Sequence, residues 1–454
     1  MSRLTIHRGA KDIGGSCVEI QSASGERLII DLGAPLDDDE QNIKRLPKVD
    51  GLLHGDPSIK GILLSHAHAS HFGLLQLAHE SIPVFMSDCQ KWVLNELACH
   101  FTPGSKPCAR ATVIKAGNCF SVGTAFRVQP MLLEDTVFSG FSYLVEIDGT
   151  KRVLYSGDFR GHGRPPLLDT FCKAPPRPVV DALLMDGALP RQKTADAADA
   201  TTAAPEKPEA KSRVEKSVPS SLRDAFTRAG NRLCTVMCSG HDAYRLAAIA
   251  SAARATGRTL VVDFYTAQIL LATQSRSFLG LFRSEVGVYI PIAQRIIIKK
   301  LNNPEMFSWV RELGKQRVYL PSQAREPGVP LKYDFSVPEK QSKFVFLLNA
   351  DIVADLSTER GLLYAQPIFS MWDGYWNKPK ILKSQKAFVR ETGFSNPRFI
   401  HTPGHALPKD IRRYTEAVKP RLLVPIHTEP TENHAQISAS GKTRPLPDQE
   451  WLDL

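Results

Sequence analysis

The chain has 454 residues, of which 43% are hydrophobic and 23% charged, and its formal net charge is +10. This length allows two or three domains and a large core, so stabilising disulfides are not needed. The excess of Lys and Arg favours polyanionic partners, although many basic proteins bind no nucleic acid.

Targeting and membrane signals are missing from the sequence pattern. Residues 1–7 lack the apolar core of a signal peptide, and no segment approaches the ~18 consecutive apolar residues of a membrane span. The eight cysteines show no zinc-ribbon spacing, and Cys234 and Cys238 lie on an apolar run as expected of buried thiols. We therefore expect a cytoplasmic protein without membrane contact.

Residues 1–187 are predicted to form a first domain of short strands with a few helices. Apolar strands are expected at residues 28–33 and 61–65, followed by a helix at 72–77. Residues 143–147 and 152–156 flank Asp148-Gly149, a pattern typical of a β-hairpin.

The rest of the chain suggests an inserted domain. Residues 188–218 are rich in Ala, Pro, Thr, Lys and Glu, which predicts a linker or surface loop. Residues 219–385 begin with a strand, the helix 243–255 and the strand 259–263, as in a βαβ unit of a parallel sheet. Residues 386–454 return to the first pattern, so the first domain is expected to be interrupted by the second.

The run Leu63-Leu64-Ser65-His66-Ala67-His68-Ala69-Ser70-His71-Phe72-Gly73 is the strongest chemical signal in the chain. Three histidines follow an apolar strand within six residues, and imidazole is the commonest transition-metal ligand in proteins. A polar strand end with solvated histidines is the alternative. Asp158 and His427 also follow apolar strands and favour the metal centre, because strand ends converge on one sheet edge.

Each of these two residues has a simpler explanation as well. Asp158 could only form a turn after Gly157, and His427 could only bond to backbone. A hydrolytic centre accounts for all the positions together, since a carboxylate can bridge two cations that hold a phosphodiester.

The sequence resembles metallo-β-lactamase-fold hydrolases, and specifically the β-CASP nucleases such as ribonuclease J and the pre-mRNA 3′-end endonuclease. The resemblance implies an α/β fold, an αββα sandwich with an inserted β-CASP-like α/β domain, and one or two Zn²⁺ or Mn²⁺ ions. It rests on the following segments: Ile13-Gly14-Gly15-Ser16-Cys17, Asp31-Leu32-Gly33, the histidine run, Gly157-Asp158-Phe159-Arg160, Asp181-Ala182-Leu183-Leu184-Met185-Asp186, His401-Thr402-Pro403-Gly404-His405-Ala406 and Lys419-Pro420 through Pro425-Ile426-His427.

The resemblance also implies residue roles. His66 and His68 would bind one metal, and His71 and His427 the other, with Asp158 as the bridge. Asp186 would be the acid at the start of the insertion, and His405 would contact the scissile phosphate or protonate the leaving group. The implied catalytic residues are thus Asp158, Asp186 and His405.

Two departures from the family pattern weaken the expected centre. Ser70 replaces the Asp of His-x-His-x-Asp-His, and a hydroxyl is a poorer ligand for a divalent cation than a carboxylate. A family histidine is also missing near residues 132–136, where Asp135 aligns best as an oxygen ligand and Glu134 would point to the opposite face. We expect unequal occupancy of the two metal positions.

The inserted domain carries candidate substrate-binding residues. Ser239-Gly240-His241 lies between a strand and a helix, where free backbone N–H groups favour anions. A simple connection with a Ser cap explains the same residues equally well. His401 and His405 complete the predicted substrate-binding set.

The sequence thus predicts a metal-dependent phosphodiesterase, an exo- or endonuclease acting on RNA or, as a weaker expectation, single-stranded DNA. One alternative is an ester or thioester hydrolase of the same fold for small molecules. Another is a noncatalytic nucleic-acid-binding protein with degenerate ligands. A homodimer is left open.

Overall fold

A computed structural model gives the architecture of the protein. Elements are numbered in chain order. The structure describes these residues: 1–35, 43–101, 108–132, 140–161, 167–176, 179–188, 218–274, 286–301, 318–319, 338–358, 365–377, 382–402, 404–428 and 442–454.

Two seven-stranded sheets form a sandwich. The first has the order β21-β1-β2-β3-β4-β5-β6, and the second the order β20-β19-β11-β10-β9-β8-β7. The strands of the first sheet are β1 Arg3–Arg8, β2 Cys17–Gln21, β3 Arg27–Ile30, β4 Ile59–Leu63, β5 Val84–Met86, β6 Ala111–Val113 and β21 Trp451–Asp453. Those of the second are β7 Phe120–Val122, β8 Phe126–Leu132, β9 Phe141–Ile147, β10 Lys151–Tyr155, β11 Ala182–Asp186, β19 Leu422–Ile426 and β20 Lys442–Thr443.

The sandwich core lies between the two sheets. Ile30 and Leu63 of the first sheet pack there with Val153, Leu184 and Val424 of the second. Helices cover the outer face of each sheet, so the layers run helix, sheet, sheet, helix. On the first sheet they are α1 Ala69–Phe72 and α2 Asp88–Trp92, with 3₁₀ turns at Ile43–Arg45 and Leu75–Leu77 and a π-helix at Val93–Ala98 that leads into α3 Cys99–Phe101; on the second they are α4 Leu167–Lys173 and α13 Pro408–Val418.

A third, entirely parallel sheet has the order β15-β14-β13-β16-β12-β17-β18. Its strands are β12 Cys234–Met237, β13 Thr259–Asp263, β14 Val286–Tyr289, β15 Val318–Tyr319, β16 Phe344–Leu347, β17 Gln366–Phe369 and β18 Arg398–Phe399. Its helices are α5 Val218–Arg228, α6 Ala243–Ala255, α7 Phe264–Gln274, α8 Ile292–Leu301, α9 Pro338–Gln341, α10 Ala350–Leu356, α11 Asp373–Asn377 and α12 Lys383–Glu391.

Helices lie on both faces of this third sheet. Leu260 and Val262 pack on the side of α5 to α8, whereas Val261 packs on the side of α10 to α12. Because both faces are covered, central strands such as β14 and β16 are apolar runs without polar alternation, as is usual in parallel sheets.

Most of the predicted elements are confirmed within a few residues. The hairpin forms between β9 and β10, with positive φ values of 51° at Asp148 and 67° at Gly149 that suit its tight turn. The helix expected at 72–77 is instead α1 followed by a 3₁₀ turn at Leu75–Leu77.

The chain returns to the sandwich later than residue 386. Phe388 and Val389 of α12 pack in the core of the third sheet, and β18 pairs with β17. The elements of the third sheet therefore extend to residue 399. The Ala/Pro-rich segment predicted at 188–218 lies outside the described residues, apart from its first and last positions.

The third sheet contacts the sandwich beside the histidine run. The ring of Phe101 lies 6.0 Å from that of Phe264 and 5.8 Å from that of Tyr265. The guanidinium of Arg160 lies 5.4 Å from the ring of Tyr244. None of the helices in the described ranges has the length and apolar character that a bilayer crossing requires.

Candidate metal centre

The polar residues of the centre follow strands that end at one edge of the sandwich. His66 comes after β4, Asp158 after β10 and His427 after β19, while Asp186 is the last residue of β11. Since β10, β11 and β19 are parallel neighbours, their carboxyl ends meet at the same place.

Asp158 lies between two groups of histidines. One group is His66, His68 and Asp158, the other is His71, Asp158 and His427, and in each group the candidate ligand atoms lie within 4.8 Å of one another. The Asp158 carboxylate is 3.6 Å from Nε2 of His66, 3.3 Å from Nε2 of His71 and 3.7 Å from Nε2 of His427. One carboxylate can therefore serve both groups.

The outer nitrogens of the imidazoles are held by other residues. Nδ1 of His71 lies 2.7 Å from Oδ2 of Asp31, and Nδ1 of His427 lies 3.0 Å from Oγ of Ser16. These contacts fix the ring orientations and direct Nε2 of each histidine toward Asp158. Metal-binding histidines in proteins are held in this way.

Asp31 is itself fixed by several donors. Its carboxylate accepts hydrogen bonds from the backbone N–H of Ser65 at 2.7 Å, the hydroxyl of Ser65 at 2.6 Å and the hydroxyl of Tyr155 at 2.7 Å. Its φ of +61° places it in a region that side chains other than Gly rarely adopt. Sequence reasoning assigned Asp31 no role; its only signal is its position directly after an apolar strand.

Burial and charge shift the pKa values of these residues in opposite directions. Burial lowers the pKa of His427 to about 3 and holds that of His66 well below its usual value. Burial would also lower the pKa of His71, but the carboxylates of Asp158 and Asp31 raise it well above its usual value. Burial would raise the pKa of Asp158, but His427 and His71 hold it well below its usual value.

This charge distribution fits a cation site. His66 and His427 stay neutral and keep a lone pair for a metal, while Asp158 stays ionised. His71 holds a proton that it would release when a cation binds. Imidazole nitrogens with a shared carboxylate suit zinc or manganese, although the donors do not fix which metal binds.

A third group lies beside the first two. Nδ1 of His405 is 2.8 Å from Oδ2 of Asp186 and 4.0 Å from Oδ2 of Asp158. Burial raises the pKa of Asp186, and the neighbouring His405 opposes that shift. The side chain of His405 is 29% exposed whereas that of Asp186 is 2% exposed, so the histidine is the accessible member of the pair.

The structure thus brings together His66, His68, His71, Asp158, Asp186, His405 and His427. Ser70 is buried in α1, and its carbonyl accepts a hydrogen bond from the N–H of Ser16 at 3.0 Å. Asp135 and Glu134 lie outside the described residues. Among the described residues, the group of His71 and His427 has no carboxylate besides that of Asp158.

The loop Ser239-Gly240-His241 lies near the first group. Nε2 of His241 is 3.1 Å from the hydroxyl of Tyr265; burial, together with the nearby His68, lowers the pKa of His241 to about 3. A Cβ at Gly240 would lie 2.5 Å from Oγ1 of Thr266, so close packing explains the glycine. The suggested Ser cap is wrong, because the side chain of Asp242 accepts the N–H of Arg245 and caps α6.

His401 lies against a buried arginine. Arg245 donates to the hydroxyl of Ser370 at 2.8 Å and to that of Thr402 at 2.7 Å, and its Nη1 is 3.4 Å from Nδ1 of His401. The guanidinium therefore ties α6 to the ends of β17 and β18. His401 is not part of the three groups around Asp158.

Tyr375 is a residue near the centre that sequence reasoning missed. Burial raises its pKa, and the negative charge of Asp158 raises it further. Helix α11 therefore comes close to the centre from the third sheet. No motif in the sequence marks this tyrosine.

Comparisons with known proteins agree with this geometry. Residues 37–206 match a family model described as a beta-lactamase superfamily domain. A crystal structure of a protein of unknown function from Enterococcus faecalis V583 superposes with a TM-score of 0.68, 17% identity and full coverage of both chains, which shows a shared fold. The fold and the histidine–aspartate centre together define a protein of metallo-β-lactamase fold, the fold of a superfamily composed mostly of hydrolases.

Within that class the chain is similar to an RNase J-like protein of Methanocaldococcus jannaschii. The two sequences are 36% identical over 75 residues, which is 16% of this chain and 15% of the relative. The matched stretch is thus a small part of the relative's length.

Proposed function

We propose that the protein is a metal-dependent phosphodiesterase that hydrolyses RNA, with the third sheet as its β-CASP domain. The observation that carries the proposal is the position of Asp158 between two histidine groups, with the Asp186–His405 pair beside it. A phosphodiester needs a site that holds both an attacking and a leaving oxygen, and two adjacent cation positions meet this need.

His66, His68, His71 and His427 would hold the metal with Asp158. When bound, divalent cations there would supply Lewis acidity and neutralise phosphate charge. His405 is the accessible imidazole beside a buried carboxylate, so it is suited to donate a proton to the leaving oxygen. Asp186 orients that ring and stabilises its protonated form.

Three observations favour RNA over a small ester. The net charge of +10 attracts a polyanion, and the third sheet adds a second domain beside the centre that a small substrate does not need. The 75-residue similarity to an RNase J-like protein points in the same direction.

The test is incubation of the purified protein with end-labelled RNA in Zn²⁺ or Mn²⁺, with a chelator control. We expect metal-dependent cleavage that falls to background in His405→Ala and persists in His54→Ala, a matched change at an exposed histidine. Metal-dependent hydrolysis of p-nitrophenyl esters without RNA cleavage would contradict the proposal.

Ser70 favours a second candidate, a noncatalytic RNA-binding protein. A serine at this position leaves the group of His71 and His427 with a single carboxylate among the described residues. Tight RNA binding without cleavage in either metal would select this candidate.

A further inference from the structure

An exposed aromatic surface lies on the third sheet near the candidate centre. Phe399 is 39% exposed, and among the described residues it is the only aromatic side chain in the exposed class. Its ring lies 5.4 Å from that of Phe369 and 6.4 Å from that of Trp376. We call Phe399 and Trp376 together the aromatic platform.

Basic side chains flank this platform. The ammonium of Lys386 lies 5.7 Å from the ring of Trp376. Lys383, Lys386 and Arg390 are three and four residues apart on α12, so they share one side of the helix. Lys383 and Arg390 are exposed. Positive charge and an exposed ring thus occur side by side.

The platform is connected to the centre by two short stretches of chain. Trp376 follows Tyr375, whose pKa responds to the charge of Asp158. Phe399 precedes His405 by six residues, which limits their separation to about 20 Å even for a fully extended chain. An RNA strand bound at Asp158 can therefore also reach Phe399.

Resting on the RNA hydrolysis proposed above, we infer that the substrate is single-stranded RNA whose bases stack on Phe399 and Trp376 while its phosphates contact Lys383, Lys386 and Arg390. Every base has an aromatic face, so stacking of this kind is tolerant of sequence. A duplex hides these faces inside the helix and offers only its backbone. The platform would therefore select unpaired strands without reading a sequence.

The test is direct binding in excess chelator, which does not depend on cleavage. Dissociation constants are measured by fluorescence anisotropy for a labelled single-stranded 12-mer and for the matching duplex. The variants are Phe399→Leu, which removes the aromatic face, and Phe399→Trp, which keeps one. Ile296→Ala serves as the control, because Ile296 is 52% exposed on α8 of the same sheet.

We expect wild-type protein to bind the single strand more tightly than the duplex. Phe399→Leu should weaken binding of the single strand by about fivefold or more, the size of one lost base–aromatic stack, whereas Phe399→Trp and Ile296→Ala should bind like wild type. Circular dichroism and the thermal midpoint verify that each variant is folded.

Two results separate the failure of this inference from that of the proposed function. Equal affinity of Phe399→Leu and wild type, or equal binding of duplex and single strand, would overturn the platform while RNA cleavage stands. Absence of both RNA binding and RNA cleavage in the wild type would overturn both.

Discussion

Oδ2 of Asp31 lies 2.7 Å from Nδ1 of His71, and Nε2 of the same ring lies 3.3 Å from Asp158. The buried carboxylate behind the ring therefore decides which nitrogen of His71 faces the candidate metal. A substitution at Asp31 should therefore change the metal affinity while every candidate ligand stays in the sequence.

Asp31→Asn should weaken metal binding by about 10- to 100-fold, the usual effect of losing such a partner. Asn tolerates the positive φ at this position, so the backbone should keep its shape. Competition titration with a chromophoric chelator gives the affinity. Asp453→Asn, at an exposed carboxylate, is the control. Unchanged affinity in Asp31→Asn would contradict the proposed role.

Asp158→Ala should reduce RNA cleavage to the background rate and lower the bound metal. The carboxylate is shared by both histidine groups, so its loss affects both positions. The metal content is measured by plasma emission spectrometry, and the fold by circular dichroism. Retained turnover in a folded variant would remove the bridging role from Asp158.

Ser70→Asp should raise the affinity of the weaker metal position by about tenfold or more, since it adds a second carboxylate to a divalent cation site. The wild type should bind its two metal equivalents with unequal affinities. In Ser70→Asp the two affinities should be closer to each other. Isothermal titration calorimetry measures both. Ser70→Ala should behave like wild type, because the Ser70 carbonyl, which accepts a hydrogen bond from the N–H of Ser16, is kept in this variant. Two tightly held metal equivalents in the wild type would show that Ser70 does not weaken metal binding.

His241 should make the metal-free protein acid-sensitive. Its pKa falls from 6.5 to about 3 on burial, so the folded state holds fewer protons between these pH values. Its contribution to stability is complete above pH 6.5 and decreases as the pH falls toward 3. At pH 4.5 the loss amounts to roughly 2–3 kcal/mol.

His241→Asn should therefore lose less stability than wild type between pH 7 and pH 4.5. The drop in thermal midpoint over this interval, measured in chelator, is compared among wild type, His241→Asn and the exposed-site control His54→Asn. An equal drop in all three proteins would show that His241 does not contribute.

Much of the centre could be predicted from the sequence because its residues follow apolar strands. Parallel pairing of β10, β11 and β19 brings Asp158 and His427 together, and His66 follows β4 of the facing sheet. The two residues that were missed could not be recognised from such a position alone. Asp31 acts through a hydrogen bond to a ring, and Tyr375 approaches from a short helix of another sheet.

The position of β18 shows a second limit of sequence reasoning. The sequence pattern assigns residues 386–454 to the sandwich, and β18 lies within that range. The strand has two residues and pairs with β17 in the third sheet. A strand this short carries no periodicity, so only tertiary pairing decides its sheet.

The pairing of β19 with β11 has a consequence for biosynthesis. His427 follows β19, so 355 intervening positions separate it from His71, its partner in the second group. A ribosome-bound chain that has not yet made β19 contains all of the first group, His66, His68 and Asp158, but lacks His427 of the second group. A complete second group would therefore form only late in translation, after β19 has paired with β11.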